Sequence, residues 1–279
     1  MKIFYLAPLL ILFFSCTEKK TVPDKKEFKV TVQEIVVEEF QTIIDSSNVT
    51  GAILIYDLEE NKYYSNDYQR AKKGNLPAST FKITNSIIAL ETGIVENDST
   101  LFKWNGENRR LKAWEQDLMF IDAFRLSCVP CYQEIARKIG VKKMTEYLDK
   151  LAYRNMKVDT TNIDLFWLEG ASRINQFQQI DFLKRFYTSE LPISERTEKI
   201  MKRMLINEEN DTYKLSGKTG WSISDEKNNG WFVGYLECHN KIYFFATNIE
   251  PKEQFDMDRF PLIRKYVTNK AFEQIKIIK

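Results

Sequence analysis

The period of the apolar positions changes along the chain, and each change predicts a change of element. Ile35, Val36, Phe40, Ile43 and Ile44 recur at helical spacing and the pattern stops at Asn48-Val49-Thr50-Gly51, which predicts a first helix closed by a turn. Ala52 to Tyr56 is continuously apolar and β-prone; Glu59-Glu60-Asn61-Lys62 turns the chain, and Lys62 to Ser65 returns as a hairpin partner. From Thr80 to about Leu90, the residues Ile83, Ile87 and Leu90 mark one buried helix face that Gly93 closes. Helical stripes then dominate residues 95–205, over Met119 to Ile139, Lys142 to Leu151, Gln176 to Thr188 and Glu195 to Leu205. Strands return as a meander of Tyr213 to Gly220, Gly230 to Cys238 and Lys241 to Asn248, with Trp231-Phe232-Val233 apolar on both faces like a covered central strand. A final amphipathic helix is predicted from about Arg259 to Ile275, presenting Leu262, Tyr266 and Val267.

Strands at both ends with helices between predict an α+β fold. The N- and C-terminal segments share one antiparallel sheet flanked by helices, and a helical subdomain, about 95–205, is inserted into it. A crevice between sheet and helical part is the expected place for a site. The 279 residues leave ample material for a core, and 31–279 reads as a single domain.

The N-terminus reads as an address. Lys2, an apolar run from Ile3 to Phe14 and the small Ser15 form a signal peptide, 1–15, too short and too interrupted at Pro8 to span a bilayer. Leu12-Phe13-Phe14-Ser15-Cys16 resembles a bacterial lipoprotein box in which Cys16 becomes the lipidated first residue, although bulky Phe13 fits that box poorly. Residues 16–30 then form a polar tether, lipid-anchored or free. Either way the protein is expected to be exported, as a periplasmic protein or a membrane-anchored lipoprotein.

Charge excludes one class of partner. With 41 Lys plus Arg against 39 Asp plus Glu the net charge is +2, and the lysine pairs 19–20, 25–26 and 72–73 are isolated, so no nucleic-acid partner is expected. The single histidine, His239, excludes paired-His metal chemistry and leaves no metal site to expect; beside Asn240 in a hairpin turn it reads as exposed and idle. Cys128, Cys131 and Cys238 are too few for a disulfide framework. Export permits a Cys128–Cys131 bridge, but the segment lacks the strand-to-helix setting of a thioredoxin-like pair, so packing or an incidental bridge is the expectation.

Candidate chemistry begins at Pro77-Ala78-Ser79-Thr80-Phe81-Lys82, which opens a helix and puts Ser79 and Lys82 on one face. A serine hydroxyl needs a neighbouring base, and a desolvated lysine can be neutral enough to serve. Alone this spacing is weak, since a serine at a helix start is usually a cap. Two further segments change that. Ser127-Cys128-Val129 supplies a second hydroxyl at a helix boundary, and Lys218-Thr219-Gly220 on a predicted strand sets a cation, a hydroxyl and a bare backbone along one edge. Ser-x-x-Lys, Ser-x-x and Lys-Thr-Gly in that order are the signature of the penicillin-recognising serine acyltransferases.

The finer detail resembles one branch. Ser-x-Val as the second motif, with Lys103-Trp104-Asn105-Gly106, the run Asp164 to Gly170 around Trp167, and Gly230-Trp231-Phe232-Val233-Gly234, is similar to the class D β-lactamases over roughly residues 50 to 275. The resemblance implies the serine β-lactamase and penicillin-binding transpeptidase fold, with hydrolysis of a small-molecule β-lactam through a Ser79 acyl-enzyme. It implies that Lys82 is carboxylated by CO₂ (N6-carboxylysine) and acts as general base, needing bicarbonate but no other cofactor. Trp167 would hydrogen-bond the carbamate, Ser127 would relay a proton to the leaving nitrogen, and Val129 would wall the lysine pocket. Lys218, Thr219 and Arg264 would face the substrate carboxylate, and the backbone N–H groups of Ser79 and Trp221 would form the oxyanion hole. One departure stands out: Tyr153-Arg154-Asn155 carries Arg where the family has Gly, so strain is expected in that loop and Tyr153 is given no catalytic weight.

Plainer readings compete: Trp167 as core packing, Arg264 as a solvated charge, and Asp164 with Glu169 as a solvated loop rather than an acid–base pair. The rival functions are a β-lactam sensor that acylates once and a cell-wall peptidase or transpeptidase. A single short signal segment argues against the sensor, and Val129, where Asn would be expected, argues against the peptidase.

Overall fold

The computed structural model describes residues 1–3, 32–224 and 226–278; the expectations for Cys16 and the tether lie outside them. The chain divides into Met1–Thr31 and Val32–Lys279, and the described strands and helices all belong to the second unit. It opens with strand β1 (Gln33–Val36), helix α1 (Glu38–Ser46), the hairpin β2 (Val49–Asp57) and β3 (Lys62–Ser65), and a short helix α2 (Tyr68–Ala71). A 3-10 turn, Ala78–Phe81, leads into α3 (Lys82–Glu91). Then come β4 (Leu101–Phe102), β5 (Leu118–Met119), α4 (Phe120–Arg125), α5 (Val129–Lys150), α6 (Gln176–Tyr187) and α7 (Glu195–Leu205). The chain returns through β6 (Ile206–Glu209), β7 (Tyr213–Ser224), β8 (Lys227–Cys238) and β9 (Lys241–Pro251) to the last helix, α8 (Phe260–Gln274).

Seven strands form one sheet in the order β1-β3-β2-β9-β8-β7-β6, so the N- and C-terminal segments do meet, at the β2–β9 pair. Every pairing in it is antiparallel except β1 with β3. Both faces are covered, and for that reason β2 and β8 carry apolar residues without alternation. On one face Leu54, Trp231, Val233 and Ala246 join a core built with α3, α5, α6 and α7. On the other, Ile53, Phe232 and Phe245 pack under α1 and α8.

The departures from the predicted elements have local causes. Ile35 and Val36 belong to β1, not to the first helix: these β-branched residues pair with Tyr64 and Ser65, and the helix starts only at Glu38. The predicted helix from Met119 to Ile139 breaks between α4 and α5, where Ser127 takes a φ of 54° and Pro130 sits in the first turn of the new helix, a position that needs no N–H. The break predicted between Ile139 and Lys142 is present: two helical segments of α5 meet at Gly140, φ 74°. On α8 the inward face is Phe260, Ile263, Val267, Ala271 and Phe272, whereas Leu262 and Tyr266 are exposed. Strand β6 had no periodic signal at all.

Candidate active site

Ser79, the candidate nucleophile, is held by a turn pinned from both sides. Leu76 O accepts from Trp231 Nε1 at 2.8 Å and from Asn229 Nδ2 at 2.9 Å, which ties the entry to β8. Ala78 N donates to Trp167 O at 2.8 Å, and Gln179 Nε2 reaches Thr80 Oγ1 at 2.9 Å, which ties the same turn to the helical side. Held this way, Ala78 stays at a φ of 51°, costly for a residue with a Cβ and typical of over-determined functional turns. β7 comes so close that a Cβ on Gly220 would sit 3.1 Å from Thr80 Cγ2 and 3.2 Å from Pro77 O. Glycine there lets the strand lie against the Ser79 turn.

Ser79 and Lys82 meet as the spacing predicts. Lys82 Nζ lies 3.2 Å from Ser79 Oγ and is wholly buried, while Ser79 retains 7% of its surface. Burial alone pushes the amine down from 10.5 to about 7, because the apolar surroundings penalise the charged form. The Tyr132 ring lies 4.9 Å from Nζ, and its hydroxyl is bonded to Ser86 Oγ at 2.7 Å. Sequence reasoning missed Tyr132. The available signal was its place three residues after Val129 on one helix, where both project to one side. Val129 itself is half-buried against the same core.

Trp167 is fully buried and stacked on Phe81 with centroids 5.6 Å apart, so the core-packing reading is partly right. Yet its indole Nε1 has no hydrogen-bond partner. A buried N–H left unpaired costs about 1–3 kcal/mol, which marks the position as one that an acceptor should fill.

Ser127 and Lys218 also come together, Lys218 Nζ donating to Ser127 Oγ and, at 3.1 Å, to Thr219 O. Burial is the main force holding the Lys218 amine well below its ordinary value, with repulsion from Lys82, Arg264 and Lys265 adding to it. Arg264 is not a solvated charge. It is 6% exposed and donates to Gly220 O at 2.5 Å, Phe260 O at 3.1 Å and Pro261 O at 3.1 Å. Among the described residues no carboxylate pairs with Lys82, Lys218 or Arg264. Of the three, Arg264 stays charged near neutral pH although burial lowers it to about 10, and a buried cation without a counter-ion attracts an anionic group.

One edge of β7 is open beside the Ser79 turn. β6 pairs with it only as far as Ser216, so the stretch Lys218 to Ser224 has β8 on one side and no strand on the other. Lys218 and Thr219 line a cavity of about 480 Å³ with Arg125, Lys265, Glu208 and Glu209; Ser79 and Lys82 are not part of its wall. The Trp221 side chain turns to the far face, edge-on to Phe260 and bonded through Nε1 to Asn228 at 2.9 Å, leaving only its backbone for the role foreseen.

Other candidates resolve plainly. Arg154 avoids the expected strain because Ala152 and Asn155 take the positive φ values, 50° and 64°. Tyr153 closes the end of α5, its N–H bonded to Leu148 O at 2.8 Å, and its ring is buried against Phe81 and Phe182. Asp164 pairs with Arg137 at 2.5 Å, Glu169 is exposed, and His239 sits in the β8–β9 turn. Cys128 and Cys131 are bridged. Among the described residues no cluster of His, Cys, Asp and Glu could hold a metal.

A buried serine–lysine pair, a second serine on a second lysine and an open strand edge define a serine acyl-transfer enzyme of the penicillin-recognising type. The profile of the penicillin-binding protein transpeptidase domain matches residues 18–265. Beta-lactamase OXA-10 of Pseudomonas aeruginosa is 40% identical over 233 residues, covering 82% of this chain and 86% of that protein. Beta-lactamase OXA-48 of Klebsiella pneumoniae is 37% identical over 228 residues, 82% of this chain and 84% of that one. The crystal structure of a class D β-lactamase from Nostoc superposes with a TM-score of 0.81 at 41% identity, covering 86% of this chain and 99% of its own. The chain belongs to the class D β-lactamase family.

Proposed function

We propose that the protein hydrolyses β-lactams through an acyl-enzyme on Ser79, with Lys82, reversibly carboxylated by CO₂, as the base for both steps. The observation that carries this reading is a wholly buried lysine, brought to about 7 and 3.2 Å from the nucleophile, in a pocket that also leaves the Trp167 N–H unpaired. The pair fits the modification: a neutral amine is what attacks CO₂, and the indole N–H is a ready donor to the carboxylate so formed. Carboxylated, the side chain supplies an anionic base adjoining Ser79 Oγ.

Ser79 Oγ then attacks the lactam carbonyl as its proton passes to that base. The N–H groups of Ser79 and Trp221 face the developing oxyanion. The C–N bond breaks as the ring nitrogen takes its proton from Ser127 Oγ, held by Lys218 Nζ, and Ser127 regains a proton from the protonated Lys82 carbamate, which returns the base to its anionic form. Lys218, Thr219 and Arg264 hold the substrate carboxylate at the open edge of β7. The base then draws a proton from water, the water oxygen adds to the ester carbonyl, and the bond to Ser79 Oγ breaks as that oxygen takes the proton back from the base. Export, by a cleaved signal or a lipid on Cys16, would put this chemistry where β-lactams arrive.

Mixing purified protein with a chromogenic β-lactam tests the reading. Turnover far beyond one equivalent, abolished in Ser79→Ala with the fold intact, is the expected result. A burst of one equivalent that stops would make the protein a sensor, and turnover of stem peptides but not of β-lactam would make it a peptidase.

A further inference from the structure

The bridge between Cys128 and Cys131 sits inside the active site, yet the acyl-transfer steps make no use of it. We infer that it is a positioning element: it holds Ser127 against Lys218 and Tyr132 beneath Lys82, across the break between α4 and α5. Cys128 is the residue between Ser127 and Val129, and Cys131 directly precedes Tyr132. Each end of the tied turn therefore delivers one side chain to one lysine: Ser127 Oγ to Lys218 Nζ, and the Tyr132 ring to 4.9 Å from Lys82 Nζ.

Three features favour a local role over the alternatives. A serine at the start of a helix ordinarily spends its hydroxyl on the free N–H groups there. Here the Ser127 hydroxyl goes to Lys218, and the start of α5 is secured by sulfur, with Cys128 Sγ accepting from Cys131 N at 3.3 Å. Ser127 is also kept at a φ of 54°, a conformation that a serine leaves readily when nothing constrains it. Closing so short a loop, three residues apart in sequence, removes little entropy from the unfolded chain, so global stability is not its main effect. Thiol exchange is no better an account: Cys128 has no exposed surface and Cys131 has 3%, which denies an attacking thiolate its approach.

The inference rests on the role proposed for Ser127, and a double-mutant cycle on the full-length protein separates the two. C128S/C131S deletes the covalent tie while keeping a cap acceptor at residue 128. The expected result is an unchanged far-UV spectrum, a fall in kcat of about tenfold or more, and KM held within about threefold, since misplacing a proton relay slows chemistry more than binding. Added to Ser127→Ala, the same double change should cost clearly less than it does in the parent, because one of the two groups it positions is already gone and only the Tyr132 end is left to lose. Alkylation of the unreduced, unfolded parent should leave Cys128 and Cys131 unlabelled. Free thiols there, a C128S/C131S enzyme within twofold of the parent, or a loss that multiplies in full onto Ser127→Ala would each overturn the inference. A Ser127→Ala enzyme as active as the parent would remove the role of Ser127 itself, and with it the positioning role at that end of the turn.

Discussion

Lowering the pH of CO₂-free enzyme strikes directly at Lys82, because burial alone has brought its amine to about 7. At pH 7 about half of the amines are neutral and at pH 6 about a tenth, so the fraction able to take up CO₂ falls roughly fivefold across that unit. Bicarbonate opposes the fall by mass action, since CO₂ binds only the neutral form. The assay is the initial rate on a chromogenic β-lactam from about pH 5.5 to 8, degassed, with bicarbonate then titrated in. Below about pH 7 the degassed rate should drop nearly tenfold per unit, and bicarbonate should restore it and move the midpoint to lower pH. Trp167→Phe removes the donor that the carboxylate would engage. A hydrogen bond to a charged acceptor is worth on the order of 1.5–3 kcal/mol, so this variant should need roughly ten- to a hundredfold more bicarbonate for half of its maximal rate. Degassed enzyme running at full rate at pH 6, indifferent to bicarbonate, would show that Lys82 works as an unmodified amine.

Replacing the same lysine should also uncover its energetic cost. Over the window from about 7 up to the ordinary 10.5, the unfolded chain binds a proton that native Lys82 has lost, so the parent gains stability as pH rises. At pH 7 the burden is on the order of 4 kcal/mol, partly offset by the Ser79 and Tyr132 contacts. Lys82→Met should therefore be inactive yet melt several degrees higher than the parent in CO₂-free buffer at pH 7, the gap closing towards pH 10; a lower melting point at pH 7 would refute the burial argument. Arg264→Ala should raise KM about tenfold or more with kcat little changed, and lower the melting point as Gly220, Phe260 and Pro261 lose a shared donor; a collapse of kcat alone would place Arg264 in the chemistry instead. Cys16→Ser should move the protein from the membrane fraction to the soluble one, and an unchanged distribution would favour ordinary secretion.

Much of this protein was determined by local pattern. Two-sided apolar runs such as Ala52 to Tyr56 and Trp231-Phe232-Val233 already specify covered strands, since only a sheet buried on both faces tolerates them. Three-residue spacing alone makes Ser79 and Lys82 neighbours, and the order of the three motifs names the chemistry. What tertiary structure decided is everything that depends on distant residues meeting. Ile35 and Val36 fit a helix stripe, but β3 offered them strand partners. Leu262 and Tyr266 fit a stripe on α8, but the sheet selected the face carrying Ile263 and Val267. Tyr132 carries no motif, and its role arises only because α5 lies across α3 and sets the ring over Lys82. The depressed pKa of Lys82, the unpaired Trp167 N–H and the counter-ion-free Arg264 are likewise properties of enclosure, and enclosure is a collective outcome of packing that a linear pattern does not contain.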